Sequence, residues 1–180
     1  MIPHFSTVLE AARSGDEAAW AVLYDSLAAQ MLGYLRGRGA RDPEGLLGDC
    51  FLQIAANLHR FEGEESGFRS WAFTMAHNRL TDERRRYARR PGETPLPESE
   101  VGLPHAPGGT EDQVVAAMDG SAVEMLRELT DDQRAVILLR ILGGFSTAET
   151  AQMLDKSEGA VRVLQHRALQ SLKESVDTDA

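Results

Sequence analysis

Residues 91–110 read PGETPLPESEVGLPHAPGGT, with five prolines, four glycines and no helical period. Such a segment cannot bury enough apolar surface to offset its ordering entropy, so it reads as a linker. A chain of 180 residues could form one domain or two small ones. This segment divides it into an N-terminal unit (1–90), a flexible acidic linker (91–112) and a C-terminal unit (113–180). About twenty extended residues reach at most roughly 70 Å.

Both units carry helical patterns. The apolar share of 42% suffices for ordinary cores, and sparse β-branched residues favour helices over strands. The first helix is expected over roughly 5–14, ending at Gly15. Asp16 then caps one long helix in which Trp20, Leu23, Tyr24, Leu27, Met31, Leu32 and Leu35 recur at three and four, closed by Gly37 and Gly39. Asp42-Pro43-Glu44 opens the next, with Leu46, Leu47, Cys50, Phe51, Ile54, Ala55 and Leu58 as its buried stripe. A loop at 62–67 precedes a last helix from about Phe68 to Arg89, with Phe68, Trp71, Ala72, Met75, Ala76 and Leu80 inward. Beyond the linker a helix is expected over about 111–128. Thr130 and Ser146 each begin a capping box, opening helices to Leu142 and about Leu154, and Ser157 caps a final helix to roughly Glu174. The architecture expected is all-α, two small helical domains on a flexible tether.

The net charge of −9 argues against a nucleic-acid binder only as an average. Glu93, Glu98, Glu100, Glu111 and Asp112 in the linker, with Glu174, Asp177 and Asp179 in the tail, account for nearly all of it. Arg79, Arg84, Arg85, Arg86, Arg89 and Arg90 cluster at the end of the N-terminal unit. Local basic surface is what attracts phosphates.

Residues 146–171 have helix-turn-helix logic: a short helix, the tight turn Asp155-Lys156-Ser157, and a helix burying Val161, Leu164, Ala168 and Leu172. Its other face offers Glu158, Arg162, Gln165, His166 and Arg167, suited to a major groove, or equally to solvent on a bundle surface. In the N-terminal unit, the loop Phe61, Glu62, Gly63, Glu64 to Gly67, including Ser66, is placed to capture an unstacked base. Phe68 and Trp71 are its walls or simply core. Asn78, Arg79 and Arg84 to Arg86 would meet bases or phosphates beside it, or form a solvated helix end favourable to the dipole.

The stretch LTDDQRAVILLRILGGFSTAETAQMLDKSEGAVRVLQHRALQSLKE is similar to region 4, the promoter-binding domain of extracytoplasmic-function (ECF) sigma factors. DPEGLLGDCFLQIAANLHRF resembles their region 2.2, and FRSWAFTMAHNRLTDERRR their regions 2.3 and 2.4. The resemblance implies an alternative sigma factor that binds core RNA polymerase (the β′ clamp helices and β flap) and directs promoter-specific initiation. It implies recognition of the −35 element through Lys156, Ser157, Glu158, Arg162, Gln165, His166 and Arg167, and of the −10 element by the loop and arginine end. Polymerase docking falls to Asp42, Glu44, Leu46, Asp49, Phe51 and Gln53. An anti-sigma factor is an implied partner, and the linker would pass through polymerase's RNA path. Four positions depart from the pattern: Thr130 for proline, Thr150 for isoleucine, Asp155 for the turn glycine, and Gly48 for a glutamine before Asp49. Thr150 and Asp155 are expected to loosen the helix-turn-helix.

The alternative is a stand-alone helix-turn-helix repressor, which would bind a palindrome as a dimer. An enzyme fits poorly: His4, His59, His77, His105 and His166 are scattered, and no phosphate-cradling loop occurs. No cofactor, metal or small-molecule substrate is expected. Cys50 has no disulfide or ligand partner. No apolar run approaches membrane length, and the first residues lack a secretory pattern, so a cytoplasmic location is expected and membrane insertion is not.

Overall fold

The computed structural model describes residues 2–89 and 125–178, and every element among them is helical. The linker and most of the helix expected at 111–128 lie outside the described residues; 125–128 are helical. In the N-terminal unit, α1 spans Phe5–Arg13, α2 Glu17–Asp25, α3 Ala28–Gly37, α4 Pro43–Asn57 and α5 Glu65–Ala88, with a 3-10 turn, Leu58–Arg60, after α4. In the C-terminal unit, α6 spans Asp131–Ile137 and runs into a π-helical turn, Leu138–Leu142, followed by α7, Thr147–Met153, and α8, Glu158–Thr178.

The caps lie where the residue types place them. Asp16 accepts from the Ala19 N–H at 2.8 Å, and Asp42 from the Gly45 N–H at 2.8 Å with Pro43 just inside the helix. Each such cap is worth about 1 kcal/mol. Thr130 and Ser146 both form complete capping boxes, with Gln133 and Glu149 as the returning side chains.

Four boundaries or faces differ from the sequence expectation. The single helix expected after Asp16 is two. It breaks at Ser26–Leu27, where the Ser26 hydroxyl bonds back to the Leu23 carbonyl at 2.7 Å and the Leu27 N–H turns to the Tyr24 carbonyl. That hydroxyl competes with the helical ladder, while the apolar stripe carries across the break and hides it. The last N-terminal helix starts at Glu65 rather than Phe68, so Glu65, Ser66 and Gly67 are helical and the loop is shorter. Helix α6 ends in the π turn, where the Gly143 N–H reaches the Leu138 carbonyl five residues back. Ala55 is exposed, not buried.

Buried Leu23, Leu27, Met31, Leu35, Cys50, Ile54, Phe68, Ala72, Phe73 and Leu80 centre the N-terminal core, and Val136, Leu139, Val161 and Ala168 the C-terminal one. The two cores are continuous, because α6's π turn packs on α3 and α7 on α5.

Two departures from the family pattern have visible structural costs. Thr150 is fully buried and its hydroxyl has no partner, whereas isoleucine would leave nothing unsatisfied. Asp155 adopts φ 51°, the left-handed region that glycine enters without a Cβ penalty. Thr150→Val and Asp155→Gly are each expected to stabilise the protein by about 1 kcal/mol, read from the urea midpoint at unchanged slope. An unshifted midpoint for Thr150→Val would mean that its hydroxyl is satisfied in solution.

Candidate nucleic-acid interface

The helix-turn-helix of α7 and α8 is oriented from behind by Arg140 of the π turn. Its Nε donates to Gln165 Oε1 at 3.2 Å and its Nη1 to the Phe145 carbonyl. Gln165 is therefore half-buried, while Glu158, Arg162, His166 and Arg167 are exposed along α8. Arg162 pairs with Glu158 one turn back at 2.8 Å, with its side chain 67% exposed. Such a surface pair is worth well under about 1 kcal/mol and yields readily to a phosphate or base edge. Lys156 is held by Asp132 at 2.8 Å. The Ser157 hydroxyl is occupied as the α8 cap, accepting from the Ala160 N–H at 3.2 Å.

In the N-terminal unit the loop after the 3-10 turn is firmly seated. Phe61 is buried, stacked on Trp71 at 5.3 Å and edge-on to Phe68 at 5.5 Å. Phe68 is fully buried and also meets Phe5 at 5.6 Å; Trp71 is half-buried. Arg13 of α1 donates to the Leu58 carbonyl at 3.1 Å and to the Phe61 carbonyl. Gly63 has φ 146°, and a Cβ there would sit 3.2 Å from Phe61 Cζ, so this turn needs glycine. What the loop offers outward is Glu62, Gly63 and Glu64, with Ser66 on the first turn of α5.

Farther along α5, Asn78, Arg85 and Arg86 are exposed. Arg79 is braced against α4, donating to Gln53 Oε1 at 2.9 Å and lying 3.8 Å from Asp49. A cleft of about 490 Å³ lies between α4 and the end of α5, lined by Asp42, Gly45, Leu46, Asp49, Arg79, Glu83, Arg86 and Tyr87. It brings three expected polymerase-docking positions together with two expected DNA positions. Of the other docking positions, Glu44 pairs with Arg36, and Phe51 packs on Tyr24 at 4.4 Å beside the exposed Leu52. A Cβ on Gly48 would meet nothing. Burial pushes the Cys50 thiol up to about 11, which keeps it an unreactive part of the core.

Arg84 is placed differently from its neighbours. Its guanidinium meets Asp131 of the C-terminal unit at 2.6 Å and the Arg38 carbonyl. Arg38, Arg69, Phe73, Asp131 and Phe145, which join the two units, were not among the expected site residues. The available sequence signal was Phe73, an apolar residue off the inward stripe of α5.

Beside this junction, His77 of α5 lies 3.0 Å from the Tyr34 hydroxyl of α3. Burial holds the imidazole down at about 4; Arg38 and Arg84 add to this, and Asp131 and Asp132 oppose it. Burial also pushes the Tyr34 hydroxyl up to about 12, so both partners are neutral near pH 7.

A helix-turn-helix unit behind a helical unit with an arginine-rich end defines a two-module DNA-binding protein. Residues 23–90 match the Sigma-70 region 2 family, and residues 120–172 match Sigma-70 region 4. The ECF RNA polymerase sigma factor ShbA of Streptomyces griseus is 33% identical over 153 residues, 79% of each chain. SigD of Mycobacterium tuberculosis is 32% identical, across 94% of this chain and 82% of its own. The chain belongs to the ECF RNA polymerase sigma factors. The structure of CnrH in complex with the cytosolic domain of CnrY shares the fold, with TM-score 0.66 and 23% identity over 97% of each chain. RpoE in complex with the anti-sigma factor NepR, from Bartonella quintana, does so at TM-score 0.62 and 22% identity, over 83% of this chain and 91% of its own. Among the described residues no helix is long and apolar enough to cross a membrane.

The buried imidazole sets a pH dependence. An unfolded histidine takes up a proton near pH 6.5, whereas folded His77 resists until about 4. Its contribution is thus fully present above pH 6.5 and is lost as pH falls towards 4. Allowing for screening at a part-exposed ring, the loss is about 1–2 kcal/mol. His77→Gln is expected to show a smaller stability drop than the wild type between pH 7 and pH 4.5 in urea titrations. Equal drops would show that the imidazole is protonated as easily folded as unfolded.

Proposed function

We propose that this chain acts as an alternative sigma factor, binding core RNA polymerase and directing it to promoters with paired −35 and −10 elements. The observation that carries this reading is the pairing, in one chain and in order, of a region 2 module and a region 4 module. A stand-alone repressor would have no use for the first. In this reading residues 1–90 dock polymerase and handle the −10 element, 91–112 form the tether, and 113–180 read the −35 element.

Arg162, His166 and Arg167 face the upstream element, with Gln165 set by Arg140; Lys156, Ser157 and Glu158 approach the backbone at the start of α8. Glu62, Gly63, Glu64 and Ser66 rim the pocket for an unstacked downstream base. Phe61, Phe68 and Trp71 support it from beneath, an arrangement that fits burial better than direct stacking on the base. Asn78, Arg79, Arg85 and Arg86 continue the track along α5. Asp42, Glu44, Leu46, Asp49, Phe51 and Gln53 present α4 to polymerase. The protein works in the cytoplasm with the transcription machinery, catalyses no reaction itself, and is controlled by an anti-sigma factor.

Run-off transcription with core polymerase on genomic DNA tests the class and identifies the promoters together. Arg162→Ala and Arg167→Ala are expected to bind core polymerase normally while losing about 1–3 kcal/mol at the upstream element. A base contact relaxes preference at one position; a phosphate contact weakens all sequences alike. Wild-type transcription by both variants would move the recognition face elsewhere on α8. Gly48→Gln, which restores the family residue in open space, is expected to stabilise α4 by about 0.5–1 kcal/mol and to tighten polymerase binding. Unchanged polymerase affinity would exclude position 48 from the docking face.

A further inference from the structure

The outward face of α8 is centred on an apolar side chain. Successive residues of an α-helix are turned by about 100°, so Val163 stands about 200° around α8 from the fully buried Val161. It therefore points almost straight away from the core, and it is 49% exposed. His166 and Arg167 follow one turn later and are exposed on either side of it. Arg162 lies on the flank, paired with Glu158. One turn before Val163 stands Gly159, where a Cβ would meet, beyond its chain neighbours, only Ser157 Oγ at 3.9 Å.

A single exposed valine is ordinary on a protein surface. This one has a particular setting. Valine and glycine are poorer helix formers than the charged residues that suit a solvated face, yet they occupy its middle in the first two turns of α8. Those turns are the part of a recognition helix that enters the major groove. Together Gly159 and Val163 leave an apolar notch one side chain wide, with Arg162 and Arg167 at its borders. Gln165, whose amide is the side-chain type suited to adenine, has its Oε1 committed to Arg140 Nε at 3.2 Å. Adenine needs that acceptor and the amide donor together, so Gln165 as held here cannot supply the pair.

We propose that Val163 reads a thymine of the upstream promoter element through the C5-methyl group of the base. The inference rests on the sigma reading and deepens it by naming a base and the side chain that selects it. The groups that base pairs display in the major groove are hydrogen-bond donors and acceptors, apart from the thymine methyl. Valine can neither donate nor accept. Pressed against a cytosine amino group or a guanine carbonyl, it would strip water from a polar atom and return no hydrogen bond. Against the thymine methyl it loses nothing and removes apolar surface from water on both sides. Gly159 makes the approach possible, because a side chain there would hold the first turn of α8 away from the groove floor. An A·T pair at this position is thus read from the side of thymine.

The test uses holoenzyme assembled from the full chain and core polymerase, on a promoter identified by run-off transcription. Each thymidine of the upstream element, on either strand, is replaced in turn by deoxyuridine, which removes only the methyl group. One such replacement is expected to weaken wild-type binding about 4-fold, the effect of one buried methyl-sized group. Val163→Ser should bind the unmodified promoter about 4-fold more weakly than the wild type and should treat thymidine and deoxyuridine alike. Val163→Thr, nearly isosteric, exchanges one methyl for a hydroxyl and should reduce the thymidine preference part of the way; circular dichroism checks helix content in both variants. An upstream element without A·T pairs, or wild-type affinity indifferent to every replacement, would overturn the assignment. So would a thymidine preference that survives undiminished in the folded variants, since another side chain would then be reading the methyl. If the wild type directs core polymerase to no promoter, the sigma reading fails and this assignment falls with it. A transcribing protein indifferent to the methyl rejects the assignment alone.

Discussion

Helix α5 has to satisfy three neighbours at once, and the rest of the molecule is arranged around that demand. Its 24 residues span about 36 Å. The first half is buried on several sides: Phe68 towards α1 and the loop, Phe73 towards Phe145 and Tyr34, Ala72, Met75 and Ala76 within the core. The second half turns polar, with arginines that brace α4, bridge to Asp131 or face solvent. A helix packed against several neighbours at one end and basic at the other extends beyond one apolar stripe, because packing and exposed charge are divided along its axis as well as around it.

That division explains why the loop before α5 can be exposed and still well placed. Aromatic packing among Phe61, Phe68 and Trp71 fixes it from below, and Arg13 ties the two ends of the 3-10 turn together by donating to both the Leu58 and the Phe61 carbonyl. The base-binding role proposed for the loop needs such support, since binding energy spent on ordering the loop is lost to affinity. In the C-terminal unit Arg140 does comparable work for α8, holding Gln165 and the Phe145 carbonyl together. Both surfaces are held by arginines that are themselves partly buried.

Local chemistry made most of the helices legible in the sequence. Asp16, Asp42, Thr130 and Ser146 cap where their side chains can reach a nearby N–H, and that information lies within four residues. The two-module, all-α organisation followed from the same signals together with the family resemblance. The break at Ser26–Leu27 escaped because the stripe of Leu23, Leu27 and Met31 continues through it and periodicity cannot see a single diverted hydrogen bond. The π turn escaped because five apolar or long side chains, Leu138–Leu142, suit either ladder, and packing against α3 decides between them. The placement of Lys156 beside Asp132 and of Arg84 beside Asp131 depends on pairs 24 and 47 residues apart, and residue types alone cannot select such partners.

The same limit bears on how charge should be read in this chain. Arg79, Arg84, Arg85 and Arg86 look alike in sequence, but folding gives them different tasks: one braces α4, one joins the modules, and two remain exposed. A buried ion pair is weak evidence of stability, because desolvation offsets most of its attraction. Arg38, with two donors unmet, sits on the unfavourable side of that balance. Replacing Arg38 and Asp131 by apolar residues of similar volume could hold the modules together at least as firmly. The ionic bridge is also open to competition. Its carboxylate is 55% exposed, so competing ions or a partner's cations can reach it without first prying the apolar centre apart. Charge at this junction therefore contributes less to holding the modules together than the apolar centre of Phe73, Phe145 and Leu138.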